Sequence, residues 1–343
     1  MSQILVSADQ LEPAWLNQTL QLRRLLVQGQ VAHLALERKY ETGPSTVAHF
    51  SVRYSPDATG VMPARLFLKI PKPHKYRLGR NEAEFYRKMP DQAHLVPCYD
   101  AAFDDATGTA HLLLADQSAT HSAGVPLSAD RAAAAVDALA AIQARWWDHP
   151  DLGRHMGAPP EQGFDYRYSD RYQSNKRRFE QLLELHGPSL SQKVRDLYEI
   201  VLAKGPDILL QRPTEGDLTL GHHDLHSGNI LFPQDPKEPV YIIDWQNDWA
   251  WFGVKDLAFL LVFALEEEQC RQLEKDILRR YCQRLAEAGI SGYTWDKAWR
   301  DYRLAAVELL YRPLGNRQAP DVLRSVTRCT QAFNALDCME LLE

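Results

Sequence analysis

The stretch GHHDLHSGNILFPQDPKEPVYIIDWQ, residues 221–246, concentrates three histidines, three side-chain amides and several carboxylates in one short piece of chain. Residues 230–232 and 240–243 read as strands, and the PQDPKEP between them is turn-rich, so together they predict an antiparallel hairpin. Such a hairpin sets the start of its first strand beside the end of its second, which brings Asn229 and Asp244 together. An amide oxygen and a carboxylate suit Mg²⁺, a hard cation held by one or two protein oxygens plus waters and substrate phosphates. Asp224 lies on the loop entering the hairpin, where its carboxylate can face the same cavity and accept a proton without being a metal ligand. Metal ions that neutralise charge and a carboxylate that orients a hydroxyl are what phosphoryl transfer asks of a protein. Imidazole with carboxylate is also what Zn²⁺ uses, but structural zinc spacing and the helical H-E-x-x-H are both missing, which leaves a metal-dependent hydrolase as the weaker reading.

The segment resembles the catalytic region of the kinase-like superfamily, more narrowly the aminoglycoside phosphotransferase and choline kinase group with its ecdysteroid-kinase-like relatives. His222, Asp224 and Asn229 in HHDLHSGN match H-x-D-x-x-x-x-N, and Asp244 in IIDWQ matches the Asp that opens the metal-binding D-F-G of protein kinases. LHSGNILF, the Trp-Gln after Asp244 and the following KDLAFLL look like the small-molecule kinases of the group, and the chain lacks an APE-like activation-segment end. The resemblance implies that Asp224 is the catalytic base, that Asn229 and Asp244 bind Mg²⁺, that His222 and His226 support the loop, and that Asp256 anchors structure. It implies an α+β, two-lobed protein-kinase-like fold and an ATP- and Mg²⁺-dependent transfer of the γ-phosphoryl group to a small-molecule hydroxyl. A pseudokinase that binds nucleotide as a scaffold is the alternative, against which Lys69, Asp224, Asn229 and Asp244 are all present.

Such an enzyme needs a cation on the α- and β-phosphates, normally a strand lysine held by a helix glutamate. Lys69 in ARLFLKIP fits, with Glu82 as its partner from the E-x-x-F-Y spacing of NEAEFY and Glu84 as the second choice. The phosphate-covering loop should be YETGPSTVAHF, residues 40–50, with Gly43, Ser45 and Thr46. It departs from G-x-G-x-x-G and does not choose between ATP and GTP. In HLLLADQS, Ala115 would accept from the nucleotide base and Gln117 would donate to it, both as ATP-binding positions. On the acceptor side, Asp248, Trp249, Trp251 and Phe252 follow the metal carboxylate, and Glu308 and Tyr311 sit on a late helix. Aromatics with acidic groups would suit a cationic amine, although tryptophans are equally at home in a core.

The elements that must position these residues fall into two parts. Strand-like runs at 47–54, 65–70 and 111–114, with a helix over 81–89 between the last two, predict a small β-rich lobe over residues 1–114. The polar stretch 115–126 reads as a hinge, and 127–343 as a larger lobe of helices, starting with DRAAAAVDALAAIQARWW. The 343 residues, 45% of them hydrophobic, suffice for two domains. A net charge of −6 without basic runs gives no footprint for nucleic acid. The opening MSQILVSADQLEPAW lacks the pattern of a secretory signal, and the apolar run 257–265 is too short to span a bilayer, so it predicts a buried helix. Five cysteines without a C-x-x-C pair suit reduced thiols in a cytoplasmic protein, read here as small buried hydrophobes.

Overall fold

The computed structural model describes residues 3–89, 92–157 and 164–343. The chain divides into two compact units: Met1–Ala123 with Leu231–Asp248, and Gly124–Ile230 with Trp249–Glu343. This differs from the expected division at 114 and 126. The segment 231–248 joins the first unit because Ile230–Pro233 pairs with His121–Ser122 and neighbours Tyr241–Ile242 in one small sheet. The Trp245 indole also stacks on Phe85, with centroids 4.6 Å apart.

The first unit is built on a five-stranded sheet in the order Val31–Glu41, Ser45–Tyr54, Arg65–Pro71, Thr109–Ala115, Cys98–Asp104. The pairs given for it are antiparallel. In Arg65–Pro71 the period of two sends Leu66, Leu68 and Ile70 into the core and leaves Arg65, Phe67 and Lys69 on the opposite face. That core also takes Leu16 and Leu20 of the helix Pro13–Leu22, along with Leu5 and Phe50. A second helix, Tyr76–Lys88, packs on the strands Cys98–Asp104 and Thr109–Ala115. It buries Glu82, Ala83, Phe85 and Tyr86, which recur at helical spacing and form one face.

The second unit is helical. Ala129–Arg145 starts at Ser128, whose hydroxyl accepts from the Arg131 amide, and Gln192–Gln211 starts at Ser191, which accepts from Val194. The latter helix runs through Pro206, where the sequence pattern alone suggests a stop. Val254–Ala264 is buried on every side from Val254 to Val262, as a helix apolar all round must be. Among the described residues no helix is long and apolar enough to cross a membrane. None of the five cysteines forms a disulfide. Burial pushes the thiols of Cys270, Cys329 and Cys338 up to about 12, whereas Cys98 and Cys282 are only half-buried.

Candidate active site

Lys69 reaches two carboxylates at once within the first unit. Its ammonium lies 2.6 Å from Glu82 Oε2 and 2.6 Å from Asp244 Oδ1. Glu82 belongs to the buried face of Tyr76–Lys88, and its side chain is 4% exposed. Burial alone would lower the lysine pKa, but the two carboxylates more than offset it and raise it, so the cation is fixed. Burial raises the Glu82 pKa, with the Asp244 charge adding to the rise and Lys69 opposing it. Glu84 instead pairs with Arg80 and Lys88 at helical spacing, which takes it away from Lys69.

Asp244 has a left-handed backbone, φ 69°, unusual for a residue with a side chain. Its second oxygen accepts from Gln246 Nε2 at 3.3 Å. Around it, Trp245 Nε1 donates to the Ile242 carbonyl and Asn81 Nδ2 to the Gln246 carbonyl, so the turn is pinned on both sides.

The second unit carries the loop 222–229. Its anchor is Asp256, 1% exposed in the first turn of Val254–Ala264. That carboxylate accepts from the backbone amides of His222 at 2.7 Å and His223 at 2.8 Å, and from Gln143 Nε2 at 3.1 Å. Burial raises its pKa, opposed by His222 and by the two amide bonds. The bonds hold His223 at φ 62°. The His223 ring stacks on Trp249 with centroids 3.7 Å apart, and its Nε2 donates to the Trp249 carbonyl. Gly221 is required beside it, since an added Cβ would come within 2.5 Å of His223 Nε2.

Asp224 follows with its amide bonded to His222 Nδ1 at 3.3 Å. Asn229 Nδ2 donates to the Asp224 carbonyl at 3.0 Å, which occupies the amide nitrogen and directs Oδ1 elsewhere. His226 Nδ1 accepts from the Gly228 amide and caps the short turn Ser227–Asn229. His222 and His226 thus each have one ring nitrogen taken by a backbone amide of the loop.

Three further charges escaped the sequence reading. Arg312 Nη2 donates to Asp224 Oδ1 at 2.6 Å, across 88 residues of chain. Lys255 lies 7% exposed between Glu308 Oε1, at 2.5 Å, and His223 Nδ1, at 3.1 Å. Lys72 Nζ donates to the Thr42 carbonyl at 2.6 Å and ties down the tip of the turn before Ser45. A lysine ahead of an otherwise apolar run, as in KDLAFLL, is the one sequence signal that could have marked Lys255.

The phosphate-loop candidates form a tight turn in the first unit. Ser45 is 2% exposed, and its amide and carbonyl both bond to Thr42. Thr46 Oγ1 donates to Glu41 at 2.7 Å, and no atom lies within 4 Å of a Cβ added at Gly43. Ala115 ends its strand with its amide on the Pro97 carbonyl, and the Gln117 carbonyl accepts from Thr120 and His121. Between them, Asp116 is a half-buried residue whose side chain is covered and takes His49 Nδ1 at 3.0 Å and Arg65 at 3.1 Å. The Asp116 pKa is lowered: burial raises it, but the bonds from Ser118 and His49 prevail.

The acceptor candidates fare differently from the expectation. Trp251 is fully buried with its indole on Glu308 Oε2 at 2.9 Å, and Glu308 is held by Lys255. Tyr311 is 3% exposed and donates to the Val201 carbonyl, and Phe252 is 1% exposed. These four are core, which accounts for the three aromatics without a ligand, and Glu308 is there the counter-charge of Lys255. Trp249 and Asp248 are half-buried, the former engaged by His223.

The sequence matches the phosphotransferase enzyme family over residues 50–299, well over half of the chain. The chain belongs to that family. Among curated proteins none matches it by sequence. Solved structures of similar fold include a protein from Ralstonia eutropha JMP134 whose assignment as an aminoglycoside phosphotransferase is itself provisional. It is 12% identical with a TM-score of 0.52, covering 94% of this chain and 97% of that one. Another is an ethanolamine kinase of Plasmodium vivax, 11% identical with a TM-score of 0.51, covering 89% and 81%. At these identities the likeness is one of fold. It agrees with the expected kinase-like architecture, a β-rich N-terminal part and a helical C-terminal part. The resemblance to the aminoglycoside phosphotransferase and choline kinase group thus holds at the level of family.

Proposed function

We propose that this phosphotransferase is an ATP- and Mg²⁺-dependent kinase of a small-molecule hydroxyl. The observation that carries the reading is the Lys69 ammonium clamped by Glu82 and Asp244, a cation placed and charged without regard to pH in the working range. Lys69 would hold the α- and β-phosphates. Asn229 Oδ1 and the Asp244 carboxylate are hard oxygen donors of the kind Mg²⁺ takes, and with its waters and the nucleotide phosphates they fit that ion. Bound there, Mg²⁺ would neutralise charge developing on the phosphoryl oxygens. Ser45 and the backbone at Ala115 and Gln117 would complete nucleotide binding.

Asp224 would accept the proton of the acceptor hydroxyl. The new bond joins that oxygen to the γ-phosphorus, the bond from phosphorus to the β,γ-bridging oxygen breaks, and ADP departs with those electrons. A positioned general base is worth roughly 10²- to 10⁴-fold in rate. Mass spectrometry of a mixed pool of alcohols incubated with ATP and Mg²⁺ tests the reading. A gain of one phosphoryl group is expected with native protein and not with Asp224→Ala. Full turnover by Asp224→Ala, or nucleotide binding without any product, would overturn it, the latter in favour of a scaffold that binds nucleotide.

A further inference from the structure

The residue that contacts the proposed base is a cation, and it also lines a cavity. Within the second unit a cavity of about 180 Å³ is bounded by His226, Phe259, Phe263, Arg312, Asn316 and Asp321, among others. The Arg312 guanidinium lies over the Phe259 ring at 4.2 Å and over Phe263 at 5.9 Å. One of its N–H groups bonds to Asp224 Oδ1, its only hydrogen bond among the described residues. A guanidinium carries five donors in a planar fork. Among the described residues the rest of that fork has no hydrogen-bond partner, which leaves it to an acceptor molecule.

From this we infer that the acceptor is a hydroxy compound with an anionic group, a carboxylate or a phosphate, close to its reacting hydroxyl. The inference rests on the kinase reading, because it takes Asp224 as the point where the hydroxyl docks. A hydroxyl on Asp224 brings its neighbouring substituents against Arg312, whose ion pair with that carboxylate is 2.6 Å long. A carboxylate or phosphate there meets the planar fork bidentately, the geometry for which arginine is best suited. An ammonium there meets a fixed like charge. Asp321, an acidic residue of the lining, is exposed to solvent, whereas the Arg312 side chain is two-thirds covered. Water therefore screens the acidic group more than the basic one. Phe259 and Phe263 would take the apolar body of the acceptor. This reverses the cationic amine expected from the aromatics and acids after Asp244, of which Trp251, Phe252, Glu308 and Tyr311 are core.

The test uses native protein and Arg312→Gln with ATP, Mg²⁺ and an equimolar panel in three arms. The arms share one phenylpropyl skeleton and straight-chain analogues: hydroxy acids, their methyl esters, and the corresponding amino alcohols, with phosphohydroxy compounds added to the first arm. Products are read by mass, and Mg²⁺-dependent nucleotide binding is measured separately on the same samples. Phosphorylation confined to the anionic arm is expected, with KM for the best acceptor raised about tenfold or more in Arg312→Gln, the loss of a charge-assisted hydrogen bond. KM for nucleotide should stay within threefold, which a general structural collapse would not allow. Within the anionic arm, the preferred compound separates carboxylate from phosphate. Nucleotide binding with product in the amino-alcohol or ester arm, or in none, overturns this inference and leaves the kinase reading standing or to be judged by its own test. Absence of Mg²⁺-dependent nucleotide binding sinks both.

Discussion

Removing the Asp256 carboxylate should unfasten the loop 222–229 from the helix beneath it, and the size of the effect follows from the groups it leaves behind. Asp256→Ala strips the acceptor from two buried backbone amides, those of His222 and His223, and from Gln143 Nε2. Gln143 keeps a second bond to the Gly253 carbonyl at 3.2 Å, so the loss falls mainly on the two amides. An unsatisfied buried donor costs about 1–3 kcal/mol, which gives roughly 4 kcal/mol for the pair. Total stabilities run at about 5–15 kcal/mol, so this is a large share. Urea unfolding followed by tryptophan fluorescence should show a midpoint lowered by about 1–2 M, taking a slope of about 2–3 kcal/mol per molar. Asp256→Asn keeps one acceptor oxygen but turns an amide donor toward the other N–H, so it should fall between the two. Released from Asp256, His223 can leave its left-handed backbone, which stores about 1–3 kcal/mol of strain. Asp224, the next residue, would lose its placement, and kcat should drop at least tenfold at temperatures where the variant is folded. A midpoint shift below about 0.3 M for Asp256→Ala would refute the accounting. Full kcat alongside a large shift would refute the link from anchor to base.

Other outcomes follow from the same geometry. Glu82→Gln should leave Lys69 with one carboxylate instead of two and lower kcat/KM for ATP by tenfold or more in steady-state assays, whereas Glu84→Gln should change it less than threefold. Gly221→Ala should push the His223 ring from its stack on Trp249 and destabilise by about 1–3 kcal/mol, read by urea midpoint. Glu308→Ala takes the carboxylate away from the buried Lys255 ammonium, and should cost about 3–5 kcal/mol while leaving acceptor KM unchanged, as suits a core position. Burial pushes the Glu274 carboxyl up to about 7 from its ordinary 4.5. A raised carboxyl contributes stability that is full below about 4.5 and is lost as pH rises through about 7. Glu274→Gln should therefore gain most over native at pH 8, by at most about 3 kcal/mol, and nothing at pH 4. Equal midpoints for the two proteins at pH 8 would count against that pKa.

What the sequence made legible is what depends on short spacing. The neighbouring strands Ile230–Pro233 and Tyr241–Ile242 could be placed because two short apolar runs flank a turn-rich connection within about a dozen residues. The buried helix from 254 was legible because an uninterrupted apolar run has one physical use. Val31–Glu41 escaped because it lies at the end of the five-stranded sheet, largely exposed, and therefore shows no apolar alternation to read. The helix Tyr76–Lys88 starts five residues before the expected Asn81, since Gly79 masks its first turns; there a Cβ would strike Pro71. The acceptor side misled for a different reason. Trp249, Trp251 and Phe252 with Asp248 and Glu308 look like a cation site when their partners are unknown, and the fold places Lys255 between Glu308 and His223. Arg312, by contrast, carries no local mark at all, because its meaning is a contact made across most of the helical unit. On the proposed reading, charge selectivity is thus a tertiary property, set by which arginine or acid the fold delivers beside Asp224.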